Sequence, residues 1–297
     1  MVLSDGQRLI ADAVILATPA FAGAGLVQPL APSAADRMSA IRYLSTGTIT
    51  LAYRTDAAPF SFEDNQQPVG YSIDLCRRVV GALEQQLGVK ELKVRWVPVT
   101  LQNRFETVAR GQADLECGAS SVTLGRMREV DFSSFTFVDG TGLLVKGSLA
   151  AKGLGDLGGK RIGVIGGSSN EKALTAALKA RVVNATVVPV SSRDDGLAQL
   201  EDGRIDAFAS DRVLLIGLAG KAKDPKSLAL LADALSFEPY AIVLPRGDWQ
   251  MRLAVNSALA QIYRSGAIGE IFGRWFGAFG RPGPLVETTF LFGALPE

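Results

Sequence analysis

The chain has 297 residues, 31 Lys and Arg against 30 Asp and Glu, and a hydrophobic content of 47%. It contains no histidine, which excludes Ser-His-Asp and Cys-His chemistry and every histidine-held metal site. A net charge of +1 gives no electrostatic case for nucleic acid or an anionic membrane surface, and Cys76 and Cys117 allow one bridge but no tetrahedral thiolate site.

The first stretch, to Thr46, reads as a strand over Leu9–Thr18 ended by Pro19 and a helix over Ala34–Tyr43 that starts after Pro32-Ser33. One reading makes it a secretory signal, with residues 13–22 as the apolar region and Ala20-Phe21-Ala22 as a small-x-small cleavage site. Asp5, Arg8 and Asp12 stand where a positive leader is required. The other reading makes residues 1–46 extraneous. The run from Ser4 to Arg54 (SDGQRLIADAVILATP…TLAYR) resembles an internal piece of a flavin-dependent protoporphyrinogen or amine oxidase. It lacks the Gly-x-Gly-x-x-Gly fingerprint that holds a dinucleotide. No flavin, and no cofactor of any kind, is expected.

From Gly47 the pattern becomes alternating strand and helix. Thr48–Tyr53 is a strand, Arg54–Asn65 a loop holding Pro59-Phe60-Ser61-Phe62, and residues up to Leu87 a helix with Leu75, Val79, Val80 and Leu83 on one face. Leu92–Val97 is a second strand and Arg104–Arg110 a short helix stopped by Gly111. The stretch from Gly111 to Ser134 then carries the most chemistry. An alternating run, Ala113–Cys117, gives way to Gly118-Ala119-Ser120-Ser121, and Arg126 follows five residues after Ser121. Small hydroxyl residues at a strand's carboxyl end leave backbone N–H groups open to a ligand. The planar fork of Arg126 suits bidentate capture of a carboxylate.

Asp139–Lys146 reads as a crossover into a second lobe, followed by a strand at Arg161–Ile165. Gly166-Gly167-Ser168-Ser169-Asn170-Glu171 opens a helix. Its free N–H groups and dipole make an anion site, or Ser168 is a plain N-cap. No Gly-Lys-Ser/Thr follows, which rules out a phosphate loop. Thr186–Val190 is a strand, a helix starts at Arg193, and Gly203–Phe208 echoes the turn and strand of Gly111–Leu115. Asp211 ends that strand, and Val213–Leu218 is an apolar helix. Glu238–Leu244 is the return crossover, Asp248–Arg264 and Gly269–Phe276 are helices, and Arg281–Glu297 reads as an extended surface strap.

PFSFEDNQQPVGYSIDLC, VTLQNRFETVARGQADLECGA and REVDFSSFTFVDGTGLLVKG, in that order, resemble the periplasmic amino-acid-binding proteins of ABC importers, solute-binding family 3, and within them the glutamate/aspartate-binding branch. The similarity runs from Gly47 to about Gly280. It implies an α/β, two-lobe periplasmic-binding-protein fold of type II, hinged by two crossover strands. Residues 47–140 plus 241–280 would form one lobe, 141–240 the other, and 281–297 a C-terminal extension. The resemblance further implies a monomeric periplasmic protein that binds an acidic amino acid, performs no catalysis and delivers its ligand to a membrane permease. Arg126, with N–H groups at Ser121 and Ser168, would hold the ligand's α-carboxylate. Asp211 would accept from its ammonium, Phe60 would wall the pocket, and Arg54, Arg104 and Arg193 would meet the acidic side chain. Leu101 and Ala119 stand where that branch has serines, and Arg193 where it has histidine. An enzyme on the same fold, similar to cyclohexadienyl dehydratase, and an amino-acid sensor domain are the competing classes.

Overall fold

A computed structural model describes residues 46–296, which lie within one compact unit, Ser39–Glu297. The strand and helix expected before Thr46, the signal and the oxidase-like run up to residue 45 fall outside the described residues.

Strand β1 (Thr48–Arg54) is buried along nearly its whole length, as a β-branched, apolar run flanked on both sides must be. The expected loop after it is instead a small antiparallel sheet of β2 (Asp56–Ala57), β3 (Ser61–Asp64) and β4 (Gln67–Val69). Asn65 and Gln66, at φ 49° and 61°, close a two-residue hairpin of the type whose positive φ values match the strand twist. Helix α1 (Tyr71–Leu87) ends at Gly88, whose φ of 66° is the left-handed cap that glycine adopts without strain. Then come β5 (Lys93–Val99), α2 (Arg104–Ala109), β6 (Leu115–Glu116) and the long β7 (Val130–Asp139). Beyond β7 the chain enters the second lobe with β8 (Thr141–Lys146), β9 (Arg161–Ile165), α3 (Ser169–Ala180), β10 (Thr186–Val190), α4 (Arg193–Glu201), β11 (Ala207–Asp211), α5 (Arg212–Ala219) and β12 (Leu228–Leu230). It returns through β13 (Glu238–Pro245) to α6 (Trp249–Arg264), α7 (Ala267–Phe276) and α8 (Pro284–Gly293).

Two five-stranded sheets result, ordered β5-β1-β6-β13-β7 and β10-β9-β11-β8-β12. The first buries Ile49, Leu51, Leu75, Val79, Leu259 and Phe272 in one cluster. The second is covered on both faces, by Leu143, Ile162 and Leu174 on one and Leu144, Phe208 and Leu215 on the other. Where the crossovers pass, Leu235 N–H donates to Thr141 O at 2.8 Å and Thr141 N–H to Ser236 Oγ at 3.0 Å. A Cβ on Gly140 would sit 2.4 Å from Ser236 O, so the two connections approach this closely only because position 140 has no side chain. From Glu238 onward β13 pairs with β7, Glu238 opposite Asp139.

The tail corrects the extended strap expected over 281–297. Its Pro284 occupies the first turn of α8, where a missing N–H costs nothing, while Val286 and Phe290 pack against the first core. Gly293 lets the helix sit flat on Tyr263, whose ring lies 2.4 Å from where a Cβ would be.

Cys76 in α1 is bonded to Cys117 just past β6, 41 positions further along the chain. In the chain-entropy account, opening a loop of this length costs about 4 kcal/mol. Cys76→Ala/Cys117→Ala should therefore lose stability of that order in urea melts, with ligand affinity retained. A loss below about 1 kcal/mol would show that the bridge contributes little.

Candidate functional site

A cavity lies between the sheets. It is lined by Leu101, Arg104, Ala119, Ser121 and Arg126 from the first lobe, and by Ile165, Ser168, Ser169, Asn170, Arg193, Ala209, Ser210 and Asp211 from the second. The space there, taken together with its opening to solvent, amounts to about 360 Å³. Ser121 Oγ and Ser169 Oγ face each other across it at 3.4 Å. Both sheets deliver residues from the carboxyl ends of β6, β9 and β11, where open α/β sheets place their ligand crevices.

On the first lobe, Ser121 forms an isolated antiparallel bridge with Tyr240. The bridge is made by Val122 N–H to Pro239 O and Ala241 N–H to Ser120 O. The N–H and C=O of Ser121 itself therefore point away from Tyr240. That carbonyl accepts from Arg126 Nη1 at 2.6 Å, and Phe105 lies under the guanidinium at 5.0 Å. The fork is held before any ligand arrives. Arg104 is also pinned, by Nε donating to Ser120 Oγ at 3.0 Å, Nη1 donating to Leu101 O, and Phe105 at 4.2 Å. Burial lowers its guanidinium to about 9; Arg126, Arg54 and Arg193 push the same way, against Glu116. Burial also lowers Arg126, against the pull of Glu238 and Asp211.

On the second lobe, Ser168 is the N-cap of α3: its Oγ accepts from Glu171 N–H at 3.1 Å and donates to Ile165 O at 2.6 Å. Its own N–H lies 3.4 Å from Ile165 O. Asp211 precedes α5 in the N-cap position, but its carboxylate caps nothing. Asn170 Nδ2 donates to Oδ2 at 3.2 Å, while Oδ1 is buried without a hydrogen-bond partner. The helix is capped across the neck instead, by Asp139 Oδ2 accepting from Val213 N–H at 3.0 Å.

Two of the residues expected at the site do not line the cavity. Phe60 is fully buried inside the first lobe, edge-on to Tyr71, Phe137 and Tyr240. Arg54 lies behind, its Nη2 donating to Asp56 Oδ1 at 2.5 Å. Three polar residues that sequence reasoning passed over belong to this region. Asp56 also accepts from Arg193 Nη1 at 3.1 Å. Glu116 is fully buried, with neither carboxylate oxygen hydrogen-bonded; burial raises it, against Arg104. Asn170 links Asp211 to Thr141, whose Oγ1 donates to Asn170 Oδ1 at 2.6 Å.

Burial and the nearby charge of Asp211 push the Asp139 carboxyl above its usual range. The native state thus holds this proton more tightly than the unfolded chain does. Its stabilising contribution is full below the ordinary carboxylate value of about 3.9 and drains away as pH rises through the higher native value. Asp139→Asn keeps an oxygen for Val213 N–H without the charge. It should flatten the decline in stability between about pH 4 and about pH 7 in urea titrations, and an unaltered slope would rule this out.

The chain matches the model of the bacterial extracellular solute-binding proteins, family 3, over residues 49–278. It is 35% identical over 250 residues to the L-glutamate/L-aspartate-binding protein of Pseudomonas aeruginosa, covering 83% of each chain. To the glutamate/aspartate import solute-binding protein of Escherichia coli it is 32% identical over 263 residues, 88% of this chain and 86% of that one. Among solved structures, an ancestral arginine-binding protein bound to glutamine superimposes with a TM-score of 0.68 at 27% identity, covering 78% of this chain and 98% of the other.

Proposed function

Because the chain belongs to family 3 of the bacterial extracellular solute-binding proteins, we propose that it is the binding component of an ABC-type amino-acid importer that takes L-glutamate or L-aspartate into the cavity between its lobes. The observation that carries this reading is the charge of the cavity lining: three guanidinium groups, of Arg104, Arg126 and Arg193, against the single carboxylate of Asp211. A zwitterionic amino acid adds no net charge, so a ligand with a second carboxylate balances the excess best. In this reading Arg126 and the outward N–H of Ser121 take the α-carboxylate, and the unpartnered Oδ1 of Asp211 accepts from the ammonium. Arg104 and Arg193 meet the side chain. Ser168 contributes by capping α3 at the cavity wall.

The two lobes joined by two connections form a hinge, and a ligand closes it only through contacts made better in the closed state. The closed form is then what the membrane permease receives. We place the protein in the periplasm as a monomer. A binding role without catalysis suits a chain with no histidine and a cavity lining with one carboxylate. A thermal-shift screen of the twenty amino acids tests this assignment. At about a thousandfold excess over Kd, a ligand adds about 4 kcal/mol, or on the order of 10 °C in Tm. Glutamate or aspartate should give the largest rise; a larger rise with a neutral or basic amino acid would overturn the assignment.

A further inference from the structure

Arg54 and Arg193 approach each other from opposite lobes, each with a side chain only 6% exposed. Two guanidinium groups desolvated this far repel one another unless an anion lies between them. Asp56 is that anion, giving one carboxylate oxygen to each at 2.5 and 3.1 Å. Burial opposes its ionisation, but Arg193 and Arg54 outweigh it and hold the carboxyl below the usual range. Both ends are fixed locally. Asp56 pairs with Phe62 in the small sheet, and Arg193 opens α4, where Ser192 Oγ accepts from Asp195 N–H at 3.1 Å. Among the described residues this is the ion pair that joins the two lobes. The seam beside it is tight, for a Cβ on Gly217 would lie 2.8 Å from Ala58 O. Arg193 keeps its buried Nε without a partner while lining the cavity.

We propose that Asp56 is the latch of this cleft and a determinant of its selectivity: by bridging Arg54 and Arg193 it lets the lobes close without a ligand carboxylate at that seam, and it holds Arg193 over the cavity. This rests on reading the cavity as an amino-acid site, but the latch itself has a ligand-free consequence. Without the Asp56 charge, closure brings Arg54 and Arg193 together with no anion between them. Only a ligand that supplies its own side-chain carboxylate then relieves the repulsion. A neutral ligand must close the cleft against it.

The test uses the full chain and the variants Asp56→Asn, Arg193→Gln and the double variant, each first shown to unfold cooperatively. In small-angle scattering without ligand, Asp56→Asn should be more extended than the parent. The double variant should match Arg193→Gln, since Asp56 then has nothing to hold across the seam. In calorimetry, Asp56→Asn should weaken glutamate about tenfold and glutamine about a hundredfold or more, as the closed fraction falls and is restored only by the acidic ligand. The glutamate-to-glutamine ratio therefore widens. A residue with a merely structural role would weaken both ligands equally; that result, an unchanged scattering curve or a narrowed ratio would overturn the proposal. If the scattering behaves as expected but the parent binds neither glutamate nor aspartate, the latch stands and the assignment of the ligand falls.

Discussion

Replacing Arg126 with Ala should weaken every amino acid the protein binds by at least about a hundredfold, regardless of side chain. Arg126 sits in the cavity lining with its fork fixed by Ser121 O and by Phe105 beneath it, so ligand binding loses little side-chain entropy there. In the proposed pose it meets the α-carboxylate, which all amino acids share. Removing one partner of a buried ion pair costs about 3–5 kcal/mol, and each ~1.4 kcal/mol is about tenfold in affinity. The scaffold should be unaffected, because Arg126 lies in a short turn before β7 rather than in either core. Titrations with two ligands of different side chain check this; dissociation constants within a few-fold of the parent would show that the α-carboxylate lies elsewhere.

Arg104→Met should act on one class of ligand alone. Arg104 is 3% exposed, and burial together with three nearby guanidinium groups lowers its own ionisation against the pull of Glu116. The site around it is short of negative charge on the cavity side, which a side-chain carboxylate supplies. Methionine fills similar volume without the charge. Glutamate and aspartate should then weaken about a hundredfold or more, with glutamine changed only a few-fold. Equal losses for glutamate and glutamine would place Arg104 in a packing role. Replacing Arg54 should not act in this selective way, since its charge is directed at Asp56 behind the cavity.

How far the site could be read from the chain follows from how its parts are held. Ser121, Arg126, Ser168 and Asp211 each end a strand or begin a turn, and the strand-to-turn signal is local, so spacing and resemblance together pointed to them. The two lobes were legible for the same reason: alternating strand and helix patterns are written along the chain. Asp56, Glu116 and Asn170 were not legible, because their partners lie across the cleft or across a sheet. Asp56 meets Arg193 at a sequence separation of 137, and Asn170 meets Asp211 at one of 41. Phe60 was placed at the pocket wall by resemblance alone; its stretch folds as a hairpin sheet and carries the ring into the aromatic core. The tail was misread because three prolines suggest an extended path, yet Pro284 in a first helical turn favours a helix.

Asp56 also alters the charge argument. Counted from the sequence, Arg54, Arg104 and Arg193 all await an acidic ligand. In the structure Asp56 already answers two of them and buried Glu116 stands near the third. What remains is an excess on the cavity lining that one side-chain carboxylate can meet, which keeps the preference acidic but limits it to a single added charge.

Calorimetric titration of the unmodified protein with L-glutamate, L-aspartate, L-glutamine and L-lysine tests the central claim most directly. The account predicts tight binding of glutamate and aspartate, glutamine at least about a hundredfold weaker, a gap of roughly 3 kcal/mol, and no detectable heat with lysine. Glutamine or lysine binding as tightly as the acidic amino acids would contradict it.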